Sequence, residues 1–216
     1  MNETEIRSVI VDVVRRLEGM GYNHGKTGNV SVRGESGFLI TPTGANSENL
    51  TAAKVVAIDR QNRVSGEGVP SSEWHMHSAI LEAYPGVKCV VHTHSDACVA
   101  LSCLRKSIPA FHYMVAGFGG SDVRCARYAT FGTAELAATA VKALAGRSAC
   151  LLANHGMIAT GRTVQGAFDT AVKLETLARQ YLLALQAGKV VLLSAAEMKK
   201  VRARYVSYGV SSLPAH

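Results

Sequence analysis

Three histidines in two short segments are the residues of this chain whose type and spacing most clearly indicate chemistry. His92 and His94 occupy alternate positions after an apolar run, and His155 precedes a glycine. The run predicts a β-strand, on which residues two apart face the same side, and His155 follows a second predicted strand. Three imidazoles with an open position are a recurring catalytic zinc arrangement. The pattern predicts a Zn²⁺ site, which Mn²⁺, Fe²⁺ or Co²⁺ would also fit.

A second histidine pair has the same spacing but a different expected role. His75 and His77 lie in a segment, 73–84, that has a helical pattern. Two residues on a helix are separated by a rotation of ~200°, so these side chains point apart and do not share an ion. We expect His75 at the surface and His77 in a polar supporting or packing role.

Three further segments carry the residue types of an anion-binding loop. Residues 28–31 supply a glycine followed by polar donors, and residues 41–44 supply a hydroxyl and an amide in a turn. Ser71 and Ser72 stand at the mouth of a predicted helix, where unpaired amides and the helix dipole favour an anion. Turns and caps use the same residues, so each segment alone favours a structural role. The chain has neither a Walker A sequence nor a Rossmann glycine motif, so nucleotide binding is not indicated.

Glu73 follows these serines and has two interpretations. An acid in the first turn of a helix complements the helix dipole, which would explain it without any chemistry. Beside an anion site and a metal, the same carboxylate could bind the ion or move a proton. Taken alone, the position favours the structural role.

The elements that would position these residues alternate between helices and strands. Helices are predicted from the N-terminus to about 19–21 and over 73–84, 97–104, 133–145, 164–187 and 194–205, with a short one over 50–55. Strands are predicted over 30–33, 38–41, 55–58, 87–94, 150–153 and 157–160, the first two as a hairpin. Residues 1–216 show no repeat or linker, so we predict a single α/β domain.

Composition excludes several classes of protein. Of the 216 residues 48% are hydrophobic and 18% charged, which is enough apolar material for a core. The N-terminal residues mix charges with apolar positions, unlike a signal peptide, and no run approaches the ~18 apolar residues of a membrane span. The five cysteines form no CxxC pair, so we expect buried, reduced thiols and a cytoplasmic location. The net charge of +7 includes a basic cluster over 199–204, which we interpret as a solvated helix face rather than a nucleic-acid site.

Taken together, in their order and spacing, these motifs resemble the class II aldolase/adducin family over essentially the whole chain. Residues 108–114 and 128–133 belong to the likeness. The resemblance implies a three-layer α/β/α fold with a central mixed, mainly antiparallel sheet. It implies a zinc site completed by a carboxylate, formed by Glu73, His92, His94 and His155. It also implies a phosphate site formed by Gly28, Asn29, Thr43, Gly44, Ser71 and Ser72.

The resemblance further implies the reversible cleavage of a ketose 1-phosphate to dihydroxyacetone phosphate and an aldehyde. Fuculose 1-phosphate and 5-deoxy- or 5-methylthio-ribulose 1-phosphate are the expected substrates. Glu73 would handle the proton at C3, and Tyr113 of a neighbouring subunit in a homotetramer would assist at the aldehyde oxygen. Phe131 and Tyr208 resemble residues beside the aldehyde. Lys26 replaces a threonine there, so the aldehyde preference is open.

Several alternatives remain compatible with the sequence. A methylthioribulose-1-phosphate dehydratase or a sugar-phosphate decarboxylase could use the same scaffold. The 4-epimerases of pentulose phosphates have Asp in place of Glu73 and lack the pattern around Tyr113. An adducin-like interaction module would lack the full metal set that this chain has. A Schiff-base aldolase using Lys26, Lys54 or Lys88 would leave the histidines unexplained. We expect no nucleic-acid and no membrane partner.

Overall fold

The centre of the molecule is one sheet of eight strands in the order β4-β3-β2-β1-β5-β8-β7-β6. The computed structural model describes residues 1–207, with the backbone alone for residues 206 and 207. Neighbouring strands are antiparallel, except that β6 and β7 are parallel. This confirms the predicted mixed, mainly antiparallel sheet. The strands are β1 (Asn29–Arg33), β2 (Gly37–Ile40), β3 (Val56–Asp59), β4 (Val64–Ser65), β5 (Cys89–Thr93), β6 (Cys125–Ala126), β7 (Ala149–Leu152) and β8 (Gly156–Gly161).

Helices cover both faces of the sheet, which confirms the three-layer prediction. The α-helices of the described residues are α1 (Glu3–Gly19), α2 (Trp74–Ala83), α3 (Asp96–Cys103), α4 (Ala134–Leu144), α5 (Val164–Ala187) and α6 (Ala195–Ser207). One hydrophobic core joins α1, α3 and α5 to one face of the sheet. A second core joins α2 and α4 to the opposite face. Two 3₁₀ helices, Ala52–Lys54 and Tyr113–Phe118, complete the helical elements.

Side-chain alternation on the two central strands brings polar groups under α2. On β1, Asn29 and Ser31 point towards α2 and contact it, and on β5 His92 faces the same layer. Val30, which lies between Asn29 and Ser31, and Val91, which precedes His92, belong to the core on the other face. Because β1 and β5 are paired, with Asn29 opposite His92, these polar side chains meet at one place on the sheet.

Most predicted elements are present within a few residues of their predicted ends. The helix over 164–187 has both its predicted ends, and the hydroxyl of Thr163 accepts from the Gly166 amide at its start. The helix expected over 50–55 is only the 3₁₀ turn Ala52–Lys54, and the strand expected over 87–94 is shortened to Cys89–Thr93. The two-residue strands β4 and β6 and the Tyr113–Phe118 helix were not predicted, since segments this short carry little periodicity.

The expectation of buried thiols is only partly correct. All five cysteines are free, and Cys89, Cys98 and Cys150 are buried. Cys125 is half-buried and Cys103 is exposed, because it occupies the last turn of α3 on its outer side. None of the helices in the described part of the chain is long and apolar enough to cross a membrane.

Candidate metal centre and active site

The three predicted histidines and Glu73 form one compact cluster. His92 Nε2 lies 3.0 Å from His94 Nε2, and the three imidazole rings are 4.8–4.9 Å apart in edge-on arrangements. Glu73 Oε2 is 3.1 Å from His92 Nε2, and Glu73 Oε1 is 3.4 Å from His155 Nε2. One ligand atom from each residue lies within 4.8 Å of all the others. These distances would allow the four residues to coordinate a single ion.

The orientation of the His92 ring supports this interpretation. His92 Nδ1 lies 2.9 Å from the backbone oxygen of Met157, so the ring donates its Nδ1 proton to that carbonyl. The Nε2 lone pair is then directed at the cluster. Proteins usually orient a metal-binding imidazole by such a hydrogen bond from the ring nitrogen that does not bind the metal.

His94 joins the cluster, but it does not lie on the strand from which strand alternation predicted its position. β5 ends at Thr93, opposite Met157 of β8, so His94 lies one residue beyond the strand. Its backbone N–H donates to Asn23 Oδ1 at 3.1 Å instead of to a neighbouring strand. Asn23 itself is packed against Gly28, which has a φ of +76°, and a Cβ atom there would overlap the Asn23 amide. The sequence alone carried no signal for the role of Asn23.

Glu73 is positioned by the start of α2 but does not cap it. The helix begins at Trp74, one residue later than expected, so Glu73 occupies the N-cap position. Its side chain bonds to none of the helix amides. The carboxylate instead turns into the cluster, so the dipole interpretation alone does not describe it. Oε1 is buried and has no hydrogen-bond donor among the described residues. A buried carboxylate oxygen that has no hydrogen-bond donor and lies 3.4 Å from His155 Nε2 is a feature that a bound cation would explain.

The electrostatics of the cluster favour the metal-binding protonation states. Burial would raise the pKa of Glu73, but His92, His155 and the Asn29 amide outweigh it and hold the pKa well below its usual value. Burial, assisted by the charge of His92, lowers the pKa of His94 and of His155 to about 4. Near neutral pH the carboxylate is ionised and these two imidazoles are neutral, as metal binding requires.

The second histidine pair behaves as its helical spacing predicted. His75 is exposed and stacks on Trp74, with ring centroids 3.6 Å apart. His77 is fully buried beneath the site and contacts Ser31 and Asn29, so it points away from His75, as expected, and packs among polar groups.

A cavity of about 300 Å³ opens beside the cluster and contains the predicted anion-binding segments. All six predicted phosphate-site residues line it, together with Glu73, His94 and His155. Lys26 and Phe131 also line it. Five further lining residues were not predicted as site residues, namely Thr27, Pro42, Tyr128, Ala129 and Asn154, although Pro42, Tyr128 and Ala129 lie in segments that the sequence analysis singled out.

Two predicted residues are not part of this cavity within one chain. Tyr113 begins the second 3₁₀ helix, has an exposed fraction of 53% and does not line the cavity. Tyr208 lies outside the described residues. Lys26 is exposed, and its side chain extends over the turn at Gly44, where a Cβ atom would lie 3.6 Å from Lys26 Cδ.

Ser102 and Arg105 form hydrogen bonds with the turn that carries His155. The backbone N–H of His155 is 3.3 Å from Ser102 Oγ, at the end of α3. Asn154 has a φ of +53°, which few residues other than glycine adopt, and its Oδ1 accepts from Arg105 Nε at 2.7 Å. The Arg105 guanidinium also lies 5.7 Å from the Tyr128 ring. These contacts fix the wall of the cavity beside the metal centre.

Comparisons with known proteins agree with this geometry. Residues 8–182 match the family described as Class II Aldolase and Adducin N-terminal domain. The chain is 48% identical to a 5-methylthioribulose-1-phosphate/5-deoxyribulose-1-phosphate aldolase of Rhodospirillum rubrum, covering 94% of this chain and 92% of the relative. It is 41% identical to an L-fuculose phosphate aldolase of Escherichia coli, covering 97% and 98%.

A solved structure extends the likeness to three dimensions. An L-fuculose 1-phosphate aldolase superposes with a TM-score of 0.89 at 35% identity, covering 94% of this chain and 96% of that one. The family match, the relatives and the metal centre all point the same way: the chain belongs to the class II aldolase and adducin family.

Proposed function

We propose that this protein is a Zn²⁺-dependent aldolase that reversibly cleaves a ketose 1-phosphate into dihydroxyacetone phosphate and an aldehyde. The observation that carries the proposal is the cluster of Glu73, His92, His94 and His155, opening directly into a cavity lined by hydroxyls and turn amides. The relatives named as fuculose phosphate and methylthioribulose or deoxyribulose phosphate aldolases support this substrate class.

The donor set fits a divalent ion. His92, His94 and His155 would hold it, with Glu73 as a further ligand in the free enzyme, and three imidazoles with a carboxylate favour Zn²⁺. When bound, the ion supplies positive charge beside the substrate carbonyl and stabilises the negative charge that develops there.

Glu73 is proposed to move the proton at C3. In the cleavage direction the C4 hydroxyl loses its proton, the C3–C4 bond breaks, the aldehyde leaves and C3 receives a proton. In the reverse direction a base must remove that proton from the carbon beside the carbonyl. Glu73 is ionised, buried and adjacent to the proposed carbonyl position, as a base for this step must be.

The phosphate would occupy the other end of the cavity. Thr43, Ser71 and Ser72 offer hydroxyls, and the glycines 28 and 44 let the backbone approach closely. Among the described residues that line the cavity, Lys26 is the single one that is a lysine or an arginine. Because its side chain extends over the Gly44 turn, we propose that its ammonium group serves the phosphate in addition to any effect at the aldehyde.

The aldehyde end is proposed to be shared between subunits. Phe131 lines the cavity of its own chain, whereas Tyr113 is exposed elsewhere on the surface. An exposed tyrosine away from its own cavity is compatible with contributing to the cavity of a neighbouring copy. We therefore propose a homotetramer in which Tyr113 completes a neighbour's site, with Tyr208 as a further residue beside the aldehyde. Five free cysteines support a cytoplasmic location.

The proposal is tested by assaying the Zn²⁺-loaded protein with fuculose 1-phosphate, 5-deoxyribulose 1-phosphate and 5-methylthioribulose 1-phosphate. Dihydroxyacetone phosphate is measured through a coupled reductase, and Glu73→Gln serves as the control for contaminating aldolase. We expect metal-dependent product with at least one substrate. Loss of water from 5-methylthioribulose 1-phosphate, with no dihydroxyacetone phosphate from any of the three, would identify a dehydratase instead.

A further inference from the structure

Behind the metal centre, a chain of buried hydrogen bonds runs from the sheet to Glu73. Ser31 Oγ lies 2.7 Å from His77 Nδ1, and His77 Nε2 contacts Asn29 Oδ1. Asn29 Nδ2 in turn lies 3.0 Å from Glu73 Oε2. All four side chains are buried, so water does not compete for these bonds.

The charge of Glu73 determines the direction of every bond in this chain. An ionised carboxylate only accepts, so Asn29 must direct its NH₂ group to Glu73 and its oxygen to His77. His77 must then carry its proton on Nε2 and accept at Nδ1 from the Ser31 hydroxyl. The ring is fully buried between the Ser31 hydroxyl and the Asn29 amide, and a neutral ring has the single N–H that this arrangement needs.

Without a donor at His77, the Asn29 oxygen would lose its hydrogen bond, and only the bond to Glu73 would hold the amide in this orientation. An amide that is free to turn by 180° can direct its oxygen at the carboxylate, which places two acceptors against each other. The His77 N–H prevents this, because it requires the amide oxygen on its own side. The ring thereby reinforces the orientation in which the Asn29 NH₂ group faces Glu73.

We propose that His77 is a positioning residue for Glu73, acting through the Asn29 amide. This inference rests on the proposed function, in which Glu73 binds the ion and moves the proton. Asn29 holds Oε2, while Oε1 has no hydrogen-bond donor among the described residues and is left for the ion or the substrate. A carboxylate that turns freely would lose this division between its two oxygens.

The test compares two substitutions at position 77. His77→Gln keeps an N–H near the position of Nε2, whereas His77→Leu removes it at similar volume. We expect His77→Leu to lower kcat about tenfold to a hundredfold with a smaller change in KM, and His77→Gln to recover most of kcat. His75→Leu is the matched control, because His75 is exposed on the same helix.

A second measurement separates positioning from damage to the fold. In a Glu73→Gln background, His77→Leu is expected to change the residual kcat by less than twofold, because the group it positions is already gone. A further large loss there would overturn the proposal, as would equal effects of His77→Leu and His77→Gln. If His77→Leu fails to fold, Ser31→Ala removes the donor to Nδ1 instead and is expected to lower kcat severalfold; an unchanged kcat would contradict us.

The Co²⁺-loaded protein provides a readout that needs no substrate. Its visible absorption responds to carboxylate coordination, so we expect His77→Leu to shift the spectrum towards that of Glu73→Gln and His77→Gln to leave it near wild type. If the wild-type protein cleaves none of the sugars but shows these shifts, the positioning role stands while the proposed reaction fails. Identical spectra for wild type and His77→Leu would overturn the positioning role.

Discussion

At the scale of single residues, the two oxygens of Glu73 have different environments. Oε2 accepts from Asn29, whereas Oε1 is buried without a hydrogen-bond donor in the described part of the chain. Glu73 also lies within 3.4 Å of two imidazoles. This difference supports the two roles proposed for Glu73, as a ligand of the free enzyme and as a proton carrier during the reaction.

Glu73→Gln should separate these two roles. We expect the variant to keep most of its Zn²⁺, since three imidazoles remain, but to lose about a hundredfold or more in kcat, because an amide cannot take up the proton. Metal analysis and the coupled assay measure the two effects. His94→Ala is the comparison, and it should lose metal and activity together. Retention of stoichiometric zinc by His94→Ala would indicate a different ligand set.

The buried His77 predicts how the stability of the metal-free protein depends on pH. Its folded pKa is about 3 and its unfolded pKa is about 6.5, so between these values the unfolded chain binds a proton that the folded chain does not. Stability therefore falls as the pH falls through this window. Between pH 7 and 5 we expect wild type to lose roughly 2 kcal/mol more unfolding free energy than His77→Gln. Urea denaturation at both pH values, with His75→Gln as control, measures it; equal losses would refute the burial argument.

Lys26→Met tests the proposed contribution of an ammonium group to phosphate binding. Methionine keeps the aliphatic contact over Gly44 and removes the charge. Because Lys26 is exposed, we expect only about a two- to fivefold rise in KM and in the inhibition constant of inorganic phosphate, smaller at high salt. Lys54→Met, outside the cavity lining, is the control. A change in aldehyde preference without any change in phosphate inhibition would place Lys26 at the other end of the substrate.

At the scale of elements, the pairing of β5 with β8 brings the distant histidines together. Thr93 lies opposite Met157, so the end of β5 and the turn before β8 are adjacent. Gly156 stands at this junction, with the Thr93 carbonyl and the His92 and His94 rings closely around it. The geometry of the metal centre thus depends on a close approach of two backbones.

Gly156→Ala should weaken the fold and the metal centre together. The added Cβ would overlap the Thr93 carbonyl oxygen and would lie 3.1 Å from His94 Cδ2. We expect a loss of about 1–3 kcal/mol in stability and a lower zinc affinity, because β5 and β8 must move apart. Gly86→Ala, where a Cβ meets nothing within 4 Å, is the matched control for thermal unfolding and zinc titration. A Gly156→Ala protein with wild-type zinc affinity would contradict the prediction.

At the scale of the whole molecule, the site described in one chain combines the candidate metal centre with a cavity wall that carries the proposed phosphate-binding residues. The aromatic residues Tyr128 and Phe131 at its mouth are more than half exposed. Tyr113 is exposed as well and does not line this cavity. This distribution supports the proposal that a neighbouring copy covers the mouth.

Subunit mixing tests that proposal. In a tetramer co-assembled from Glu73→Gln and Tyr113→Phe chains, some sites would combine an intact Glu73 with an intact Tyr113 from the neighbour. We expect the mixed assembly to have more activity than the sum of the two variants assembled separately. Activity that equals this sum, in tetramers shown to contain both chains, would place Tyr113 and Glu73 of the same chain in one site.

Several parts of the fold and site could be predicted from local patterns. The long helix α5 was predicted because its apolar residues recur over many turns. The spacing of His92 and His94, followed by an isolated His155, was enough to predict a metal site. By contrast, β4 and β6 were missed, since two residues carry no period, and their pairing depends on the neighbouring strands.

The sequence by itself determined the ligand types, their order and the hydrophobic periods that build each element, because these depend on neighbours along the chain. Only the tertiary structure decided how the ligands meet. His94 joins the cluster through a turn held by Asn23, and Glu73 turns away from its own helix because Asn29 and His92 attract it. His77 was expected to have a supporting or packing role, but only the packing of α2 over β1 identified Ser31 and Asn29 as its partners. Contacts of this kind join residues dozens of positions apart. They form, and stabilise the site, only after the sheet has brought those residues together.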